Sequence, residues 1–341
     1  MKKFLISNDG VFYKANLHCH STMSDGSLTP EQIKEHYKSL GYSVVAYTDH
    51  DLMVCHNDLT DDSFVALNGF EVEYWEKDRP AKSWPFRHEC HINFIALNQE
   101  TELQPFWHRS KYIIGNNHLR HLGKFDENEP DFERWYDEYC ISRMMREGRE
   151  KGFFVTYNHP GWSREDYSLY SKYEGMNALE IMNGSGIIAG YEDYAVRPYD
   201  ELLRQNKKIL AIAGDDNHNR KPLDSVYSDS GVAWTMIKAE KLNYKSITDA
   251  LLKGNLYSSE GPEIHELYLE DGILTIKCSN AQKITLHRAS RRHQIRIMED
   301  KPLTEAQFNV SNLKDGYFRV TVCGLDGKQA FTNAYFPEDL V

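Results

Sequence analysis

The residues with the most chemistry in them come in short groups. Near the start, Asn16-Leu17-His18-Cys19-His20 is followed by Ser24-Asp25-Gly26, so two imidazoles flank a thiol and a carboxylate follows closely. Further on stand Thr48-Asp49-His50-Asp51, Glu71, His91 in Cys90-His91-Ile92, Asn158-His159-Pro160, and Asp215-Asp216-Asn217-His218. Imidazole and carboxylate together hold divalent metals, and a set without thiolate suits Mn, Fe or Zn in a catalytic rather than a structural role. Taken singly, each group has a plainer reading. Fifteen His in 341 residues make one His-x-His pair unremarkable, Asp before Gly is commonly a turn, and Glu71 alone reads as a cap or a surface charge.

The groups gain meaning from the elements that precede them. Ser43–Tyr47, Ile92–Leu97, Phe153–Tyr157, Ala178–Met182 and Ile209–Ala213 read as buried strands. Runs of this kind separated by helices predict a mostly parallel sheet covered on both faces. The first group follows a short strand at roughly 13–17, and an apolar run leads into His50, Glu71, His159 and Asp216 in turn. In barrels of parallel strands, the carboxyl ends converge on one rim, where active sites lie. At a period of two, His18 and His20 share a side, Asp216 and His218 share a side, and Cys19 points away. His91 precedes its strand, so it joins the same cavity if that strand runs the other way.

One helix start is explicit: Thr29 caps, Pro30 opens, Gln32 completes a capping box, and Gly41 stops a helix carrying Ile33, Tyr37 and Leu40. The stretches 75–90 and 99–150 are less regular and read as insertions. Within them, 75–80 reads as a loop, and 131–151 as a helix with Trp135, Tyr139 and Met145 on its apolar stripe. After Gly261-Pro262 the pattern changes to short β-rich segments at 266–269, 273–278, 283–286 and 317–322, with turns at Glu270-Asp271-Gly272 and Leu325-Asp326-Gly327. The expected organisation is a barrel over 1–262 and a small antiparallel β-sandwich over 263–341.

Bulk properties narrow the function. A net charge of −11 argues against a nucleic-acid polymer as partner, because that binding rests on cations neutralising phosphates. It leaves room for a small phosphorylated ligand, since bound metal ions reverse the field inside one pocket. The six cysteines include no CxxC pair, the start MKKFLISNDG has too few apolar residues for a signal core, and no run is long enough to span a membrane. The expected setting is cytoplasmic. Nothing in the sequence selects an oligomeric state.

In order, "HCH" at 18–20, "SDG" at 24–26, "YTDHD" at 47–51, "GFEV" at 69–72, "CHIN" at 90–93, "NHP" at 158–160 and "GDDNH" at 214–218 resemble the motifs of the PHP (polymerase and histidinol phosphatase) family. The similarity covers residues 12–262. It implies an α/β fold, a distorted seven-stranded (β/α)7 TIM-like barrel, with two or three divalent ions on its rim. His18, His20, Glu71 and Asp216 would hold the first ion; Glu71 would bridge to a second held also by His91 and His159; Asp25, His50 and His218 would hold a third. The tail resembles that of a branch containing a carbaryl hydrolase.

The reaction so implied is phosphoester hydrolysis of a small molecule, nucleotides among the candidates, by hydroxide bridging two ions. Glu71 sits at its centre, and His218 or Asp49 assists the leaving oxygen. Arg164, beyond His159, and Arg197 are the expected substrate-binding cations, each weighed against a surface salt bridge. Trp162 and Trp75 are candidates to stack on a ring, weighed against simple packing. The alternative is amide, carbamate or ester hydrolysis at the same centre; a non-catalytic metal-stabilised binding module is a third reading, opposed by the intact ligand set.

Overall fold

A computed structural model of the protein describes residues 2–76, 86–113, 116–192, 194–313 and 316–340. The apolar runs become strands β1 (Lys3–Phe4), β2 (Val11–Asn16), β3 (Val44–Tyr47), β4 (Val65–Trp75), β5 (Glu89–Ala96), β6 (Phe153–Tyr157), β7 (Ala178–Asn183), β8 (Leu210–Gly214), β9 (Trp234–Ala239) and β10 (Leu256–Ser259). Helices α1 (Pro30–Ser39), α2 (Glu138–Glu150), α3 (Tyr167–Tyr170), α4 (Gly184–Ala189), α5 (Val196–Arg204) and α6 (Tyr244–Lys253) lie between them. The fold is mixed α/β.

Strand direction is less uniform than the sequence reading expects. β2, β3 and β4 are parallel, β5 runs antiparallel to both β4 and β6, and β6, β7 and β8 are parallel again. Because β5 is reversed, its first residues lie beside the carboxyl ends of its neighbours. Beyond β8 the chain comes back to β2: Cys19 and Asn217 form a parallel bridge, His20 N donates to Asn217 O at 3.1 Å, and Asp216 N donates to His18 O at 2.9 Å. The first and last ligand groups are thus joined through their backbones.

α1 forms as its caps dictate. Gln32 N donates to Thr29 Oγ1, Thr29 N donates to Gln32 Oε1 at 2.9 Å, and Ile33 and Tyr37 face the core. Leu40 is the cap residue and stays partly exposed. α2 begins later than expected, at Glu138, because the Asp137 carboxylate accepts from Cys140 N at 2.8 Å and starts the helix there. Its buried stripe is therefore Cys140, Ile141, Met144, Met145 and Gly148, while Trp135 and Tyr139 are exposed. Gly148 is required by proximity: a Cβ there would lie 2.3 Å from the Phe94 ring. Trp75 closes β4 rather than opening a loop, and residues 77–80 of the expected loop lie outside the described residues.

The remaining strands are β11 (Ile264–Glu270), β12 (Ile273–Arg288), β13 (Gln294–Ile297), β14 (Leu303–Asn309), β15 (Phe318–Gly324) and β16 (Gln329–Thr332), all paired antiparallel. The expected strands at 273–278 and 283–286 are one continuous strand, β12, with register shifts near Ala281 that pass its partners from β11 to β15. Leu267, Ile276, Ile284, Phe308 and Val320 pack into a core of their own. Yet the hydrogen-bonded path is continuous: β16 pairs with β10, β10 with β9, and β9 with β2. β1 crosses over to pair with β11. A fully buried Arg319 on β15 is clamped by both oxygens of Asp200 on α5, each at 2.8 Å.

Candidate metal centre

Glu71 lies within β4 rather than at its end; the strand continues to Trp75, and the side chain points inward. Five imidazoles surround its carboxylate. His18 Nε2 is 3.1 Å away, His50 Nδ1 3.2 Å, His20 Nε2 3.3 Å, His91 Nδ1 3.3 Å and His159 Nε2 3.5 Å. Asp216 adds a second carboxylate, 2.9 Å from His20 Nε2 and 3.2 Å from His18 Nε2. Asp25 lies 3.3 Å from His218 Nε2 and 3.8 Å from His50 Nε2. All nine positions expected as ligands meet at one place, and the reversed direction of β5 is what brings His91 in.

The donor sets overlap in a way that suits more than one ion. His18, His20, Glu71 and Asp216 present ligand atoms within 4.8 Å of one another, as do His20, Asp25, His50 and His218, and His50, Glu71 and His91. His159 groups with His18 and Glu180. Buried His20 Nδ1, His50 Nδ1, Glu71 Oε2 and both ring nitrogens of His91 have no hydrogen-bond partner among the described residues. Buried polar atoms are normally satisfied. Lone pairs left unmet in a cluster of imidazoles and carboxylates are what divalent ions take, so the residues present fit such ions.

The electrostatics agree. Burial pushes the Glu71 carboxyl up, but charge on His18 and His91 outweighs it and holds the group well below the carboxylate range. Asp216 is held down in the same way by His18 and His20. Burial pushes His20 down, yet Asp216 and Glu71 carry it up to about 10. Without ions, protons on these imidazoles do the charge neutralisation. His50 is the exception: burial and the neighbouring His20 charge push it down to about 3.

A layer behind the ligands holds them in place. Glu180, on β7, meets His18 Nδ1 at 2.9 Å and accepts from His159 N at 3.2 Å and from Asn183 Nδ2 at 2.9 Å. Asn158 Nδ2 donates to Glu71 Oε1 at 2.9 Å, and Asn183 Nδ2 to Asp216 Oδ2 at 3.1 Å. Glu73, two residues beyond Glu71 on the same side of β4, lies 3.0 Å from His50 Nδ1. Glu180 and Glu73 are absent from the sequence reading. The available signal for Glu180 is an acid in the middle of Ala178-Leu179-Glu180-Ile181-Met182, a strand otherwise apolar and buried.

Three expected side chains fall elsewhere. Asp49 is buried, and its carboxylate accepts from Ser21 N (2.7 Å), Ser21 Oγ (2.8 Å) and Ser24 Oγ (2.6 Å). It anchors the loop that carries Asp25, and it is not among the described residues lining the cavity. Arg197 is 85% exposed on α5 and pairs with Glu201 one turn on, the surface bridge weighed against a substrate role. Arg164 is exposed, at a φ of 60°, and is likewise not among the described lining residues. Sequence nearness to His159 does not bring it to the cavity. Cys19 is fully buried against Ile33 and Tyr37, and burial pushes its thiol up.

The centre opens into a cavity of about 530 Å³. His218, 18% exposed at its side chain, lies on its wall. The cations on the wall are Arg87, Arg220 and Lys221, and Trp162 and Tyr227 supply aromatic surface. Trp162 packs edge-on to His91 and His159, with centroids 5.1 and 5.3 Å away. Trp75 instead faces the Arg87 guanidinium at 4.9 Å. No described helix is long and apolar enough to cross a membrane.

No protein-family model and no curated protein matches the chain. Among solved structures it is similar to a two-domain protein containing a predicted PHP-like metal-dependent phosphoesterase from Bacteroides vulgatus, at 15% identity and a TM-score of 0.46, over 98% of this chain and 97% of that one. A candidate metal-dependent phosphoesterase from Bifidobacterium adolescentis matches at 17% identity and a TM-score of 0.40, over 63% and 90% of the two chains. An amidohydrolase from Chromobacterium violaceum matches at 18% and 0.38, over 60% and 87%. Scores at this level lend no weight to a functional reading, which rests on the site residues themselves. The resemblance to the PHP family rests on the order of the chain's own motifs.

Proposed function

We propose that the protein is a metal-dependent phosphoesterase that hydrolyses a small phosphorylated molecule, with nucleotides among the candidates. The observation that carries this reading is the Glu71 carboxylate ringed by five imidazoles, the arrangement a bridging ligand of a multi-ion centre needs. Two or three divalent ions, Mn, Fe or Zn, fit the donor set. When bound, they lower the pKa of water and offset the charge that builds on a phosphoryl group.

The chain's own residues have separate tasks. Glu180 keeps the His18 ring turned so that Nε2 faces Glu71 and Asp216. His218, on the cavity wall, is held by Nδ1 against the Asp216 carbonyl oxygen at 3.0 Å, which leaves Nε2 facing Asp25. Arg87, Arg220 and Lys221 take over the anion-binding role first assigned to Arg164 and Arg197. Trp162 limits water on the His91–His159 side.

The fold reading belongs to the same proposal: β2 to β8 as a distorted seven-stranded barrel over residues 1–262, and 263–341 as a β-sandwich domain. The Cys19–Asn217 bridge and the separate core around Leu267 and Ile284 support it. Six free cysteines suit a reducing, cytoplasmic setting.

The alternative, amide, carbamate or ester hydrolysis at the same centre, draws support from the wall cations. Arg87 pairs with Glu89 at 2.6 Å and Arg220 pairs with Asp25, so each is already partly neutralised. The test is p-nitrophenyl phosphate turnover by the Mn-loaded protein, beside His50→Ala. Turnover lost in the variant supports phosphoester chemistry. Bound Mn with no turnover transfers the reading to the amide and carbamate substrates.

A further inference from the structure

Asp25 divides its carboxylate between two claims. Oδ1 faces His218 and His50, while Oδ2 is taken by the Arg220 guanidinium, which also donates to the Asp25 carbonyl at 3.4 Å. No other carboxylate of the four-residue set His20, Asp25, His50 and His218 is available, since the remaining three members are imidazoles. Glu71 and Asp216, by contrast, face only imidazoles and amides among their described contacts.

We infer that Arg220 opposes the ion at this outer position, so that it is the weakest of the sites and fills last. The inference rests on the metal-centre reading above. An ion arriving on Oδ1 meets a carboxylate whose charge is already shared with a guanidinium, and the two cations repel across one group. The backbone around Asp25 is held without Arg220. Gly26 N donates to Ser21 O at 2.9 Å, Ser27 N to His218 O at 2.8 Å, and Ser24 Oγ to Asp49, so the loop is fixed from the other side. Gly26 itself allows the close turn, since a Cβ there would lie 2.4 Å from the His20 carbonyl oxygen. Removing Arg220 therefore takes away repulsion without releasing the ligand.

The test is Mn(II) titration of the metal-free full chain, with unbound Mn(II) read by electron paramagnetic resonance, for wild type, Arg220→Gln and Arg220→Lys. The expected result is a weakest class of site that tightens about tenfold in Arg220→Gln and not in Arg220→Lys, with the tighter classes unchanged. A weakest class that is unchanged or weaker in Arg220→Gln overturns the inference and makes Arg220 an organiser of Asp25. Two tight sites with no third in either protein overturn it as well, while leaving the metal centre intact. A wild type that binds no Mn(II) removes the metal-centre reading and the inference with it.

Discussion

Glu180 Oε1 lies 2.9 Å from His18 Nδ1, with both side chains fully buried. The contact settles which ring nitrogen of His18 faces Glu71 and Asp216, and the other Glu180 oxygen steadies the backbone of His159. One carboxylate that need not touch an ion thus positions two residues that would.

Glu180→Gln is expected to weaken the tightest class of Mn(II) binding about 10- to 100-fold, the usual effect of losing a partner behind a metal-ligating histidine. Far-ultraviolet circular dichroism should be unchanged. Metal content equal to wild type after dialysis against limiting Mn(II) would contradict the role.

Metal binding should release protons. His20 is raised to about 10, and His18 and His91 also lie above the ordinary imidazole value, so these rings carry protons near neutrality without ions. In the ion-free state the His20 contribution to stability is full below its unfolded value of 6.5 and lost as pH rises toward 10. Ions need the neutral rings, so apparent affinity should climb over that same window. Calorimetric titration in two buffers of different ionisation enthalpy measures the release; identical heats would count against it.

The Glu165 carboxyl is buried among tyrosines. Tyr157 and Tyr136 donate to it at 2.6 and 2.7 Å, and Tyr173 donates as well. Burial outweighs these hydrogen bonds and raises it from 4.5 to about 7. Between those values the unfolded chain binds fewer protons than the folded one, so stability falls as pH rises. This group should account for a loss on the order of 3 kcal/mol between pH 4 and pH 8. Urea unfolding of wild type and Glu165→Gln at both pH values isolates it: the variant should lack that portion of the slope.

Arg319→Leu should be costly because it leaves Asp200 facing a site built for a guanidinium. The arginine is fully buried, and removing one member of such a pair costs about 3–5 kcal/mol. Asp200→Asn should cost less, since hydrogen bonds from Arg319 and Tyr317 can be kept in part. Midpoints of chemical unfolding give the ranking, and equal midpoints for Arg319→Leu and wild type would refute it.

Except for Asp25, which lies in the loop between β2 and α1, the candidate ligands stand out in the sequence because each lies at or near an apolar run that a strand explains. The capped helix at Thr29 was legible because capping is local chemistry. What the sequence hid depends on tertiary direction. His91 joins the site only because β5 runs against its neighbours. Arg197 looked available but is turned outward by the helix it sits on. Asp49 lies in the right motif, yet its oxygens are consumed by Ser21 and Ser24. Among acids adjacent in sequence, Asp215 turns into the core to accept from Gly231, Val232 and Ala233 N, and only Asp216, at a φ of 52°, faces the histidines.

The pairing of β10 between β9 and β16 sets an order of assembly. β9 flanks β2, the strand that leads into His18 and His20, and β1 waits for β11. During synthesis β1 and β10 leave the ribosome each with an edge still unpaired, and those edges gain their partners only when residues 264–332 follow. Contacts so distant along the chain make for slow closure. A chaperone or a bound ion acting early would find the histidines already made, and the edges of β1 and β10 still open.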